Sequence, residues 1–196
     1  MKRLAFVGIL FLTSSLSAQP VFSREGVGAK ISLRRQTDCE NEFIREARAE
    51  EILAGPPYRT LVEVAAAFGR KAVPRLYFVP GDGNAVYVGG SVYVDGRGKI
   101  LISETYLRFL GDTMALKGIL AHETAHLVKD NGAVGCYEWV LRDPEQEKAA
   151  DALAARMVGY EAVRAFLLRT DELLGVVDVD LRLRALEILE DKEKRR

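Results

Sequence analysis

The sequence predicts an α+β fold, in which a small, mostly antiparallel sheet packs on helices. Three observations carry that expectation. Residues 75–102 are dense in β-branched and aromatic side chains and are broken by Gly81-Asp82-Gly83 and Asp95-Gly96-Arg97-Gly98, the punctuation of short hairpins. On both sides of this block, apolar residues recur at helical spacing. Strands grouped together, with helices around them rather than alternating with them, read as α+β. A chain of 196 residues, 48% of them hydrophobic, is long enough for one good core and short for two, so residues 19–196 are expected to form a single domain.

The chain opens MKRLAFVGILFLTSSLSAQP, with Lys2 and Arg3 ahead of an apolar run from Leu4 to Leu12 and small or polar residues up to Ala18. Charge, length and flank predict a signal peptide over residues 1–18 cut after Ala18, with Ser17 as the competing site and an uncleaved anchor as the alternative. The protein is then exported, to a periplasm or outside the cell. No later stretch approaches the apolar length of a bilayer crossing, so no stable membrane span is expected once the signal is removed. No cysteine closely follows the segment, which argues against a lipid attachment site.

Residues 19–36 read as a loosely held arm. From Asp38 to Leu53 a helix is expected with Phe43, Ile44, Ala47 and Ile52 on one side, stopped by Gly55-Pro56-Pro57, and a second helix is expected over Thr60–Arg70. The segments RLYFV, NAVYVGGSVYVD and KILIS supply an antiparallel sheet or meander, with a hairpin from Val92 to Ile102 around the DGRG turn. Helical periodicity returns at Ser103. A long helix is expected from an Asp112 N-cap to Lys129 or Asp130, before Asn131-Gly132. Asp143-Pro144 opens another, which runs through Met157 and, past a break at Gly159, to Leu168. The final LRLRALEILEDKEKRR is amphipathic and ends in solvated charge. There is no internal repeat and no low-complexity linker.

The 28 basic and 28 acidic residues cancel, and no dense Lys/Arg block with interleaved aromatics follows a phosphate backbone, so nucleic acid is not an expected partner. Two cysteines, Cys39 and Cys136, form a candidate disulfide in an oxidising compartment, worth about 3–5 kcal/mol in the chain-entropy account, with two buried thiols as the alternative.

The two histidines in the chain, His122 and His126, are four apart in LKGILAHETAHLVKD. On a helix that spacing stacks both imidazoles on one face, where they can share one ion. Shuffling would produce this spacing, with a glutamate after the first histidine, about once in a thousand such chains. Exposed polar residues on a solvated face are the ordinary alternative, but apolar residues flank each polar one here, and buried imidazoles need partners. Zinc suits the pair. With a third protein ligand and one position left for water, it would make that water a nucleophile at neutral pH, and Glu123 would act as general base. No third histidine exists, and neither cysteine lies on a predicted helix facing the site. In DPEQEKAADALAARM, Glu147 and Asp151 are again four apart, among alanines that allow close helix approach. Glu147 is therefore read as the third ligand. Asp151 is read as the carboxylate that accepts the free N–H of a ligand histidine and fixes its tautomer.

HETAH followed by EKAAD, with ALAARM continuing the helix, resembles the gluzincin zinc metallopeptidases of the HtpX and CAAX prenyl endopeptidase type. NAVYVGGSVYV at residues 84–94 is similar to that family's strand bordering the cleft, and the resemblance covers roughly residues 60–190. It implies a zincin-like fold, a single metallopeptidase domain over residues 19–196, one Zn2+ per chain, and a protein or peptide as substrate. Val86 and Val88 stand where the family has Phe and Pro, and the DGRG hairpin with KILIS resembles an extended version of the sheet edge. The family's oxyanion-stabilising histidine has no counterpart. Arg182 or Arg184, which resemble the arginine of its late helix, or Tyr137 or Tyr160, are candidates for that role.

The expected function is thus an exported zinc-dependent endopeptidase acting on unfolded or extended segments. An extended substrate would add to the sheet along Ser91–Val94. The absent histidine keeps a zinc-stabilised, non-catalytic binding or chaperone-like adaptor as the alternative, although a purely structural site has no use for Glu123 as a base. A non-peptide hydrolase with the same zinc chemistry is a third reading.

Overall fold

The computed structural model describes residues 41, 44–81, 86–89, 97–111, 113–129, 144–174 and 178–196, with the side chains of residues 86–89, 129 and 174 outside that description. The expected signal peptide, Phe43, the Ser91–Val94 strand expected to border the cleft, Asp112, Asn131-Gly132, Tyr137 and both cysteines lie outside the described residues, as do residues 92–96 of the Val92–Ile102 hairpin.

The described elements are β1 (Glu50–Glu51), α1 (Gly55–Ala67), β2 (Arg75–Val79), β3 (Val86–Gly89), β4 (Lys99–Ser103), α2 (Glu104–Leu110), α3 (Thr113–Lys129), α4 (Pro144–Val158), α5 (Tyr160–Leu174) and α6 (Val179–Lys194). This is α+β, as expected, and two of its details differ from expectation.

The first concerns the helix expected over Asp38–Leu53. Ile44–Glu46 are helical, but the chain then turns away. Ala49 N donates to Ile44 O at 2.9 Å and Arg48 N to Arg45 O at 3.1 Å, with Arg48 at φ 51°, a left-handed helix stop made without glycine. Glu50 and Glu51 then pair antiparallel with Phe78 and Tyr77, so Ile52 belongs to a strand edge rather than a helical face. Sheet pairing overrides the helix propensity of the glutamates. Pro56 and Pro57, expected to stop that helix, instead open α1. A proline in the first turn gives up only an N–H that has no helical partner there, so the second helix begins at Gly55 rather than Thr60.

The second is the sheet, which is mixed. Its order is β1-β2-β4-β3, and its longest pairing, Arg75↔Lys99 through Val79↔Ser103, is parallel, while β3 runs antiparallel on the other side of β4. The expected antiparallel meander is thereby corrected. KILIS is a central strand and not an extended edge, because Ile100, Leu101 and Ile102 are all buried and an apolar run covered on both faces takes a neighbour on each side.

Ser103 ends β4 and caps α2, its Oγ accepting from Tyr106 N at 3.2 Å. The next helix, α3, packs on α1, α4 and α5 and also touches β3. Its residues 115–116 and 119–127 are buried, which makes it the central helix of the core, apolar on nearly every side. Leu61 and Val64 of α1, Leu76, Ile100 and Ile102 of the sheet, and Val163, Phe166 and Leu167 of α5 complete that core. Gly118 sets how closely α3 meets α5, since a Cβ there would stand 2.0 Å from Ala162 O. Gly159, at φ 101°, breaks α4 from α5 where the sequence predicts. No helix among the described residues is long and apolar enough to cross a membrane.

Candidate metal centre

The middle of α3 brings His122 and His126 one above the other, with Nε2 atoms 3.1 Å apart and rings nearly perpendicular at 84°. From α4, Glu147 reaches both. Its Oε2 lies 3.2 Å from His122 Nε2 and its Oε1 3.3 Å from His126 Nε2. These three side chains form the group among the described residues that could hold a metal ion. His122 and His126 are buried and Glu147 is 15% exposed, so the cluster meets solvent on the Glu147 side. Glu123, between the histidines in sequence, is buried as well.

One turn after Glu147, Asp151 is 1% exposed and its Oδ1 accepts from His122 Nδ1 at 2.8 Å. With that proton held on Nδ1, Nε2 is the nitrogen directed at His126 and Glu147 and the one left for ligation when it loses its own proton. Asp151 is itself held from α6. Arg182 donates from Nε to Oδ2 at 2.7 Å and from Nη2 to Oδ1 at 2.8 Å, a two-point pair, and its Nη1 lies 3.3 Å from Glu147 Oε2. Arg182 therefore sits behind His122, on the two carboxylates. Arg184, two residues on and about 200° round the helix, is exposed. Tyr160 donates to Glu193 Oε2 at 2.7 Å, in the ion network that ties α5 to α6.

The electrostatics follow from this packing. Burial opposes the imidazolium of His122, but hydrogen bonds to Asp151 and Glu147 outweigh it and hold the group up to about 9. Burial likewise opposes ionisation of Glu147, yet the bonds from His122 and His126 keep its carboxyl well below the usual range. Asp151 is also lowered: burial resists, and Arg182 and His122 prevail. Two ionised carboxylates are offset by the Arg182 guanidinium and the His122 imidazolium, so the cluster carries a net negative charge that suits a cation once His122 gives up its second proton.

No family model matches the chain, and no curated protein or solved structure matches it either. The site therefore stands on its own chemistry. Of the residues that spacing singles out, the structure brings His122, His126, Glu147 and Asp151 together, and Glu123 is buried on the same helix. Two contributors are not marked by spacing. Phe166 places its ring 5.2 Å from that of His122 and 5.7 Å under the guanidinium carbon of Arg182. No sequence signal separates it from other apolar residues of α5. Gly118 did leave one: a glycine inside an apolar helix, four residues before a histidine, marks a close approach.

Proposed function

We propose that this protein is an exported zinc-dependent endopeptidase, with His122, His126 and Glu147 as zinc ligands and Glu123 as general base. The observation that carries the reading is the convergence of the three donor atoms, one N,N,O set, beside a buried glutamate on the same helix turn. Ligands of a tetrahedral ion with bonds of about 2.0–2.1 Å stand about 3.3 Å apart; the two histidine Nε2 atoms are 3.1 Å apart, and Glu147 offers a different oxygen to each of them, at 3.2 and 3.3 Å. Two imidazoles and one carboxylate are also a donor set that zinc favours.

Zinc so held supplies a Lewis acid that polarises a carbonyl and lowers the pKa of a water molecule. The residues of the chain do the rest. Asp151 holds the proton on His122 Nδ1, and Arg182 holds Asp151 and steadies Glu147. Glu123 takes a proton from the attacking water and returns it to the departing amine, which balances the hydrolysis of an amide to a carboxylic acid and an amine.

The sheet supports an extended substrate. Among the described residues β3 is the last strand in the order, it pairs on one side with β4, and it touches the ligand-bearing α3. A polypeptide added along it would be read through its backbone, which favours unfolded segments over compact domains. Export rests on the charged and apolar pattern of residues 1–18.

The deciding experiment is metal analysis together with cleavage of an unfolded protein by wild type and Glu123→Gln. Zinc in both, with cleavage by the wild type alone, is expected. Zinc in both with cleavage by neither would overturn the peptidase reading in favour of a binding adaptor.

A further inference from the structure

Gly118, Phe166, His122 and Arg182 form one packed unit that the ligand chemistry does not by itself require. Phe166 is 3% exposed on α5, the helix against which α3 is pressed where Gly118 lacks a side chain. A Cβ on Gly118 would stand 2.8 Å from Cβ of Phe166, so the absent methyl is what lets this aromatic approach α3 one turn before His122. The ring then touches two members of the same relay. It lies 5.2 Å from the His122 imidazole at an interplanar angle of 45°, and the Arg182 guanidinium carbon is 5.7 Å from its centroid. Imidazole and guanidinium are the two donors that converge on Asp151.

We propose that Phe166 is a positioning residue of the metal centre, holding the plane of His122 and the fork of Arg182 so that both meet Asp151 in line and His122 Nε2 stays aimed at the ion. Three consequences follow from the contacts. A ligand imidazole turns about its χ2 unless a neighbour packs against the ring, and the tilted Phe166 ring does so while Asp151 fixes one edge. The aromatic face attracts the guanidinium through its quadrupole, which keeps Arg182 on Asp151. The ring also fills the space beside the relay with apolar surface, and a low local dielectric strengthens its hydrogen bonds.

This inference rests on the metal-centre reading, and its test separates the two. Zinc affinity by chelator competition and the visible absorption of the cobalt-substituted protein are measured for wild type, Phe166→Leu, Phe166→Tyr, Arg182→Met and the double variant Phe166→Leu/Arg182→Met. Leu76→Ala, a buried sheet residue, controls for loss of stability alone. Phe166→Leu is expected to weaken zinc binding by about tenfold or more, the usual effect of losing a group that orients a ligand, and to alter the cobalt bands. The ring-retaining Phe166→Tyr is expected to restore both. The double variant is expected to bind zinc less weakly than the product of the single effects predicts, since both residues act through one relay. A Phe166→Leu protein that melts lower but binds zinc within about twofold of wild type, with unchanged cobalt bands, overturns the proposal and leaves Phe166 as core packing. If Phe166→Leu does not fold, the volume-conserving Phe166→Met takes its place, and zinc affinity within about twofold of wild type in that ring-less variant overturns the proposal equally. Failure of the wild type to bind either metal would instead remove the centre on which it rests.

Discussion

Asp151 and Arg182 meet through two hydrogen bonds, of 2.7 and 2.8 Å, across the gap between α4 and α6, and the same carboxylate accepts the Nδ1 proton of His122. Three helices are thus joined at one side chain. Removing either partner strands the other as an uncompensated buried charge. Arg182→Met should therefore destabilise the protein by about 3–5 kcal/mol in urea unfolding, the usual cost of breaking a buried pair. It should also weaken zinc binding by about 10–100-fold, because Asp151 loses its anchor. A variant with wild-type stability would show that the pair does not form in solution.

Glu123 offers the sharpest separation of chemistry from binding. Glu123→Gln keeps the volume and burial and removes the base, so hydrolysis of an unfolded protein should fall by about 10²–10⁴. Zinc content should stay at one per chain. Loss of metal in this variant would mean that Glu123 is a ligand and not a base.

A pH prediction follows from His122. In the metal-free protein its contacts with Asp151 and Glu147 raise it from 6.5 to about 9. A group raised on folding contributes stability that is complete below about 6.5 and is lost as pH climbs through about 9. The metal-free protein should therefore melt at progressively lower temperature across that window. Zinc displaces the proton from Nε2, so the zinc-bound form should not share this loss, and the gap in Tm between the two forms should widen from pH 6.5 to 9. A constant gap would mean that His122 carries no extra proton when the ion is absent.

The candidate ligand set is legible in the sequence because helical spacing and donor type are local properties. His122 and His126, then Glu147 and Asp151, each sit one turn apart, so periodicity alone places each pair on a face. The sheet order was less legible. KILIS, apolar at Ile100, Leu101 and Ile102, carries the mark of a central strand, but nothing in RLYFV says that it lies parallel to KILIS rather than beside the strand that follows it. The left-handed stop at Arg48 lacks the glycine that marks such turns, so the sequence predicts a longer helix there than the chain forms. Arg182 resembled a group that acts on substrate, and only tertiary packing reveals its hold on Asp151.

Gly118 gives the most direct test of how the core sets the metal centre. It lies four residues before His122 on α3, and an added Cβ would come 2.0 Å from the carbonyl oxygen of Ala162, which is backbone and cannot rotate aside. Gly118→Ala gains about 1 kcal/mol from helix propensity in an isolated helix. In this core the clash must push α3 and α5 apart, and overpacking of that kind costs about 1–3 kcal/mol or more. Separation also draws Phe166 and α5 away from His122, so zinc affinity should fall along with stability. The variant should accordingly unfold at lower urea and release zinc to a weaker chelator than wild type requires. A stability gain would show that α3 and α5 are not in close contact, and unchanged zinc affinity in a destabilised protein would show that the centre is held by α4 and α6 without help from α5.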